Sequence, residues 1–240
     1  MKNIVIIPTY NEKENIRAII EAVFALKVPF DVLIIDDNSP DGTADIVKEI
    51  QKDNGHLHLI ERSGKLGLGT AYLTGFDWAL ENGFDLIYEM DADFSHNPND
   101  LERLYEACEN GADVAIGSRY IKGINVINWP LSRVLMSYFA SVYVRCITGM
   151  KIMDITAGFV CYKRKVLESI KSYPIKMTGY GFQIEMKFTA WKLGYNIQEV
   201  SIVFTDRKEG TSKMSGGIFS EALFGVIGLK FKSLFKKYKQ

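Results

Sequence analysis

Strand-length apolar runs and helix-length amphipathic segments alternate without a break through the first 118 residues. "NIVIIPTY" is followed by "NEKENIRAIIEAVFAL", whose Ile16, Ile19, Ile20, Val23 and Phe24 recur at helical spacing. "DVLIIDD" precedes the helical "DGTADIVKEIQK", and "LHLIER" precedes "TAYLTGFDWALENG", which Gly83 closes. "FDLIYEMDAD", "NDLERLYEACENG" and "ADVAIGSRY" repeat the alternation. This order predicts an α/β fold, a mostly parallel central sheet with helices on both faces. At 240 residues and 47% hydrophobic content, the chain suits one such domain.

The second half is less regular. Residues 129–149 read as one long helix, with Pro130 in its first turn and Gly149 past its end. "AGFVCYKRKVLESI" reads as strand then helix, "GFQIEMKFTAWKLG" as helix and "NIQEVSIVFTDR" as a late strand. The tail from Gly216 is an apolar helix that turns basic at Lys230, Lys232, Lys236, Lys237 and Lys239. The expected division is a catalytic unit over 1–217 and an amphipathic basic helix over 218–240.

In open α/β sheets, ligands bind beyond the carboxyl ends of the strands. Here those ends carry "PTYNE", "DDNSPDG" and Asp91-Ala92-Asp93, so the three should converge on one crevice. Alternation along an extended segment would point Asp91 and Asp93 the same way. Two carboxylates that close repel each other unless a cation or hydrogen-bond donors hold them. Magnesium or manganese takes few protein carboxylates and completes its octahedron with phosphate oxygens and water. An Asp-x-Asp pair also caps turns, and "DDNSPDG" is rich in turn-forming residues.

The zero net charge conceals a split: residues 1–118 carry 9 positive and 22 negative charges, and residues 119–240 carry 20 and 7. One half is suited to a cation and the other to an anion or an anionic surface. Three cysteines without metal-like spacing suggest neither a zinc site nor a disulfide framework, and a reducing cytoplasm fits. The first apolar run is too short for a signal peptide, and no uncharged stretch reaches 18 residues.

"IPTYNEKENI", "VLIIDDNSPDGTADIV", "RSGKLGLGTAY", "YEMDADFSHNP", "IGSRY", "NWPLSR", "DITAGFVCYKR", "GYGFQIEM" and "DRKEGTSKM" occur in that order. As an ordered set over roughly residues 3–217, they resemble the family-two inverting glycosyltransferases of the GT-A fold, nearest to its dolichol-phosphate mannose synthase branch. The resemblance implies mannose transfer from GDP-mannose to a polyprenyl phosphate, with Mg2+ or Mn2+ as the metal. By the same resemblance, Pro8, Tyr10, Asn11 and Glu12 hold the nucleotide base, and Asp36 and Asp37 contact base and ribose. Gly67 admits the ligand to a helix start. Asp91 and Asp93 carry the metal and diphosphate, and Ser95 stands where some relatives place a glutamine ligand. Arg119, Arg133 and Arg207, with Lys213 beside them, match positions that bind the acceptor phosphate and the donor diphosphate. Asp91, Asp93 and Arg207 are the expected catalytic residues.

A lipid phosphate is already anionic near neutral pH, which agrees with the absence of an obvious general base at a strand end. Some relatives carry transmembrane segments after the catalytic domain. This sequence carries none, so the expectation is a protein peripheral on the cytoplasmic face of a membrane, reached directly or through a separate anchor subunit. The 218–240 helix is read either as that membrane contact or as core. Other readings are a UDP-glucose or UDP-N-acetylglucosamine donor, a saccharide acceptor, or a non-catalytic nucleotide-sugar-binding module. Nucleic acid is not an expected partner, since the basic residues form no recognised motif.

Overall fold

The computed structural model describes residues 1–206 and 217–239. Parallel strands β1 (Asn3–Thr9), β2 (Asp31–Asp36), β3 (Leu57–Glu61) and β4 (Leu86–Glu89) alternate with helices α1 (Ile16–Phe24), α2 (Thr43–Gln51) and α3 (Leu68–Glu81). Helix α4 (Asp100–Glu109), β5 (Val114–Ser118), a short β6 (Val126–Ile127) and α5 (Leu131–Thr148) follow. The chain continues through β7 (Val160–Lys163), α6 (Arg164–Lys171), α7 (Gly179–Lys192), β8 (Ile197–Ser201), β9 (Phe204–Thr205) and α8 (Gly217–Phe235).

The main sheet runs β3-β2-β1-β4-β7-β5-β8, and β7 is antiparallel to both neighbours. Strand polarity decides where the cleft lies. Because β1, β2 and β4 are parallel, Thr9, Asp36 and Glu89 end at one edge, and the chain order reverses between β1 and β4.

Side-chain alternation divides β1 between two cores. Ile4 and Ile6 join a cluster with α3, α6 and α7, while Val5 and Ile7 join α1, α2 and α4 on the other face. Burial on both faces explains why these strands read as continuous apolar runs. Pro130 caps α5 at its start and Gly149, at φ +82°, ends it, as the sequence suggests. Helix α8 packs against α7 and α5. Its Val226 is buried, while Phe224, Ile227, Phe231, Leu234 and Phe235 face outward. Among the described residues, no helix is long and apolar enough to cross a membrane.

Candidate active site

A cleft of about 480 Å³ opens at the carboxyl edge of β1, β2 and β4. Pro8, Tyr10, Glu12, Asp37, Gly67, Asp91, Asp93, Ser95, Arg119 and Arg133 all line it. Ten of the residues singled out by sequence therefore share one cavity. Arg207 and Lys213 lie outside the described residues.

Two expected nucleotide contacts are placed elsewhere. Asp36 is fully buried: its Oδ1 accepts from Thr9 Oγ1 (2.9 Å) and Ser39 Oγ (2.6 Å), and its Oδ2 from the Ser39 N–H (2.8 Å). It braces the turn after β2 and has no face on the cleft. Asn11, at φ +57°, is exposed, and its N–H bonds Ser39 Oγ at 3.0 Å. Asp37 lines the cleft and accepts from Arg62 Nε at 2.6 Å. Arg62 also reaches Thr70 Oγ1 (2.8 Å) and the Gly67 carbonyl (3.3 Å), tying the end of β2 to the loop that starts α3.

Strand β4 stops at Glu89, so Asp91 and Asp93 do not lie on an extended segment as expected. Phe94 takes φ +57°, and the Ser95 N–H turns back to Asp93 Oδ1 at 3.0 Å. The turn, and not strand alternation, brings both carboxylates to the cleft. No group of three or more His, Cys, Asp or Glu able to hold a metal occurs among the described residues. Two carboxylates with oxygen donors only suit a hard divalent ion whose other ligands are phosphate oxygens and water. The donor set thus fits the implied group.

His96 is buried beside this turn, stacked on Phe159 (centroids 4.9 Å apart) with Phe204 edge-on at 5.1 Å. Burial pushes its pKa down to about 4, against the pull of Asp93. The ring is therefore neutral at neutral pH. Its Nδ1 lies 3.9 Å from Asp91 Oδ2 and has no hydrogen-bond partner.

Arg119, expected from its motif to meet phosphate, is buried and lines the cleft. Its Nε and Nη2 meet Asp154 at 2.6 Å each, and Nη2 also reaches Thr156 Oγ1 at 3.0 Å. Arg133 bonds Asp206 at 2.8 Å and lies over the Trp129 ring, 4.0 Å from its centroid.

Beneath the cleft, Gln183 joins two buried charges: its Nε2 donates to Glu89 at 2.6 Å, and its Oε1 accepts from Lys187 Nζ at 2.9 Å. Burial raises the Glu89 pKa and lowers that of Lys187, each opposed by the other's charge. Lys65, Tyr72, Trp129 and Gln183 also line the cleft and are not singled out by sequence reasoning. The available signal for Gln183 was Gln183, Glu185 and Lys187 at alternate positions inside an otherwise apolar helix.

A family model described as "Glycosyl transferase family 2" matches residues 4–171. The polyprenol monophosphomannose synthase of Mycolicibacterium smegmatis is 46% identical over 226 residues, 94% of this chain and 85% of that protein. The undecaprenyl-phosphate mannosyltransferase of Micrococcus luteus is 44% identical over 226 residues, 94% of this chain and 93% of that one. Among solved structures, a mannosyltransferase of Pyrobaculum calidifontis in complex with GDP-Man and Mn2+ superposes with a TM-score of 0.57 at 16% identity, covering 98% of this chain and 74% of that one.

Proposed function

The chain belongs to glycosyl transferase family 2, and from that membership we propose that it transfers mannose from GDP-mannose to a polyprenyl phosphate, inverting the anomeric carbon. One observation carries this reading: a single cleft is lined by Asp91 and Asp93 together with Arg133 and the Asp154-paired Arg119. The first pair suits a cation-bound diphosphate, and the second suits another anion. The mannosyl-transferring relatives support the sugar and the lipid acceptor, and the GDP-Man complex supports the nucleotide.

Asp91 and Asp93 would hold a divalent ion, magnesium or manganese, which when bound supplies positive charge to the departing diphosphate. Tyr10, with Lys65 Nζ 5.0 Å from its ring centroid, and Asp37 line the cleft and would take the nucleotide. Arg133 takes the acceptor phosphate in competition with Asp206, and Arg207 takes the donor diphosphate. A phosphate oxygen attacks the anomeric carbon, the bond from that carbon to the β-phosphate oxygen breaks, and GDP leaves with the electron pair. With a second phosphate pKa near 6, the nucleophile needs no base. Catalysis then rests on positioning and on fixed charge facing the leaving group.

The outward apolar residues of α8, with exposed Lys232 among them and Lys236 just beyond, suit an anionic bilayer surface. Leu131, Leu135, Met136 and Phe139 of α5 are exposed as well. We read residues 218–240 as an interface element appended to a catalytic unit over 1–217, peripheral on the membrane that holds the acceptor.

The test is transfer of radiolabel to a short-chain polyprenyl phosphate in detergent. Organic-phase label from GDP-mannose that disappears with chelator is the expected result. Label from UDP-glucose alone changes the donor, and no organic-phase label from either overturns the lipid acceptor.

A further inference from the structure

Trp129 lines the cleft just before α5, close to both Arg119 and Arg133. Its ring centroid is 4.0 Å from the Arg133 guanidinium and 5.4 Å from that of Arg119, and Phe204 meets it edge-on at 5.2 Å. Stacking with guanidinium groups needs only an aromatic face, which phenylalanine also supplies. Tryptophan adds one thing, the Nε1–H donor. Here Nε1 is buried and has no hydrogen-bond partner. A buried donor left unpaired costs about 1–3 kcal/mol, and such groups are rare in native proteins. Indole N–H donates and never accepts, so its missing partner is an acceptor atom. Beside two guanidinium groups, one forked to buried Asp154 and the other bonded to the part-exposed Asp206, with which an incoming anion can compete, the complementary acceptor is an anionic oxygen.

We propose that Trp129 Nε1–H binds a phosphate oxygen of the lipid acceptor, alongside Arg133. This rests on the polyprenyl phosphate reading above. The acceptor is favoured over the nucleotide because Trp129 stacks directly on Arg133, the residue that reading gives to the acceptor phosphate, while it gives Tyr10 and Asp37 to the nucleotide. Trp129 then both orients the arginine pair through its face and binds the same anion through its edge.

The test compares wild type with Trp129→Phe by calorimetric binding of farnesyl phosphate and, separately, of GDP with manganese. A hydrogen bond to a charged group predicts farnesyl phosphate affinity about tenfold weaker in the variant, with GDP affinity unchanged. A second protein, Trp78→Phe/Trp191→Phe, leaves Trp129 as the sole tryptophan. Its emission is expected to change saturably with farnesyl phosphate and not with farnesol. Wild-type farnesyl phosphate affinity in Trp129→Phe, equal weakening of GDP binding, or unchanged emission at saturating farnesyl phosphate each overturns the assignment. A wild-type protein that binds GDP but not farnesyl phosphate overturns the lipid-acceptor reading and this one together.

Discussion

Arg119 and Asp154 form a buried fork: Nε to Oδ2 and Nη2 to Oδ1 are both 2.6 Å, and the Arg119 backbone N–H adds a bond to Oδ2 at 2.9 Å. Glu199 on β8 holds Asp154 in turn, accepting the N–H groups of Met153 (2.8 Å) and Asp154 (2.9 Å). The basic end of the cleft is thus anchored through a loop to an edge strand. Removing one partner of a buried ion pair leaves a charge without compensation. Asp154→Ala is expected to lower stability by roughly 3–5 kcal/mol, measured by urea unfolding.

Asp93→Asn should abolish metal-dependent transfer while leaving the melting temperature near wild type, because Asp93 sits in a partly exposed turn. Calorimetry with manganese and GDP should show the metal-dependent part of binding lost. Retained turnover in the variant would sink the metal assignment.

His96 has a folded pKa near 4, below its ordinary 6.5, because it is buried. Between pH 6.5 and 4 the unfolded chain therefore binds a proton that the folded protein does not, so stability falls as pH falls through that window. A shift of this size corresponds to roughly 3–4 kcal/mol at most. His96→Phe keeps an aromatic ring against Phe159 and removes the titration. Thermal melts in chelator at pH 7 and pH 4.5 are expected to show a smaller drop for the variant than for wild type.

Gly117 and Gly228 should respond oppositely to alanine. A Cβ at Gly117 would lie 2.5 Å from a ring carbon of Phe159 and 3.1 Å from Ile202, both buried. Overpacking there is expected to cost about 1–3 kcal/mol. At Gly228, inside α8, a Cβ meets nothing within 4 Å, so Gly228→Ala is expected to stabilise by about 0.5–1 kcal/mol. Chemical denaturation of the two variants gives both signs.

Phe231→Ser/Phe235→Ser removes two exposed rings of α8 that lie 62% and 77% accessible. Cosedimentation with anionic vesicles should fall severalfold, and turnover of a short, detergent-dispersed acceptor should stay near wild type. Equal vesicle binding by both proteins would remove α8 from the membrane contact.

The strand and helix order was legible because each element carries its own period, and both faces of the sheet are buried. Helix α5 could be read from Pro130 and Gly149 for the same local reason. The convergence of Tyr10, Asp37, Asp91 and Asp93 on one cleft was also legible, since parallel strands deliver their ends to one edge, whereas Arg119 and Arg133 were expected there only from the family resemblance. Asp36 and Asp37 show where this stopped. They are adjacent in sequence, but one faces Thr9 and Ser39 and the other faces Arg62 and the cleft.

The sequence by itself determined the layered α/β architecture, the edge at which ligands collect and the opposite charges of the two halves. These follow from local periodicity and from motifs whose members lie close along the chain. Only the tertiary structure decided which of those side chains face the cleft. Arg119 is held by Asp154, 35 positions away, Gln183 is fixed between Glu89 and Lys187, and Trp129 lies against the guanidinium groups of two arginines. Each of these depends on partners that only packing brings within hydrogen-bond or stacking distance, and no local pattern encodes them.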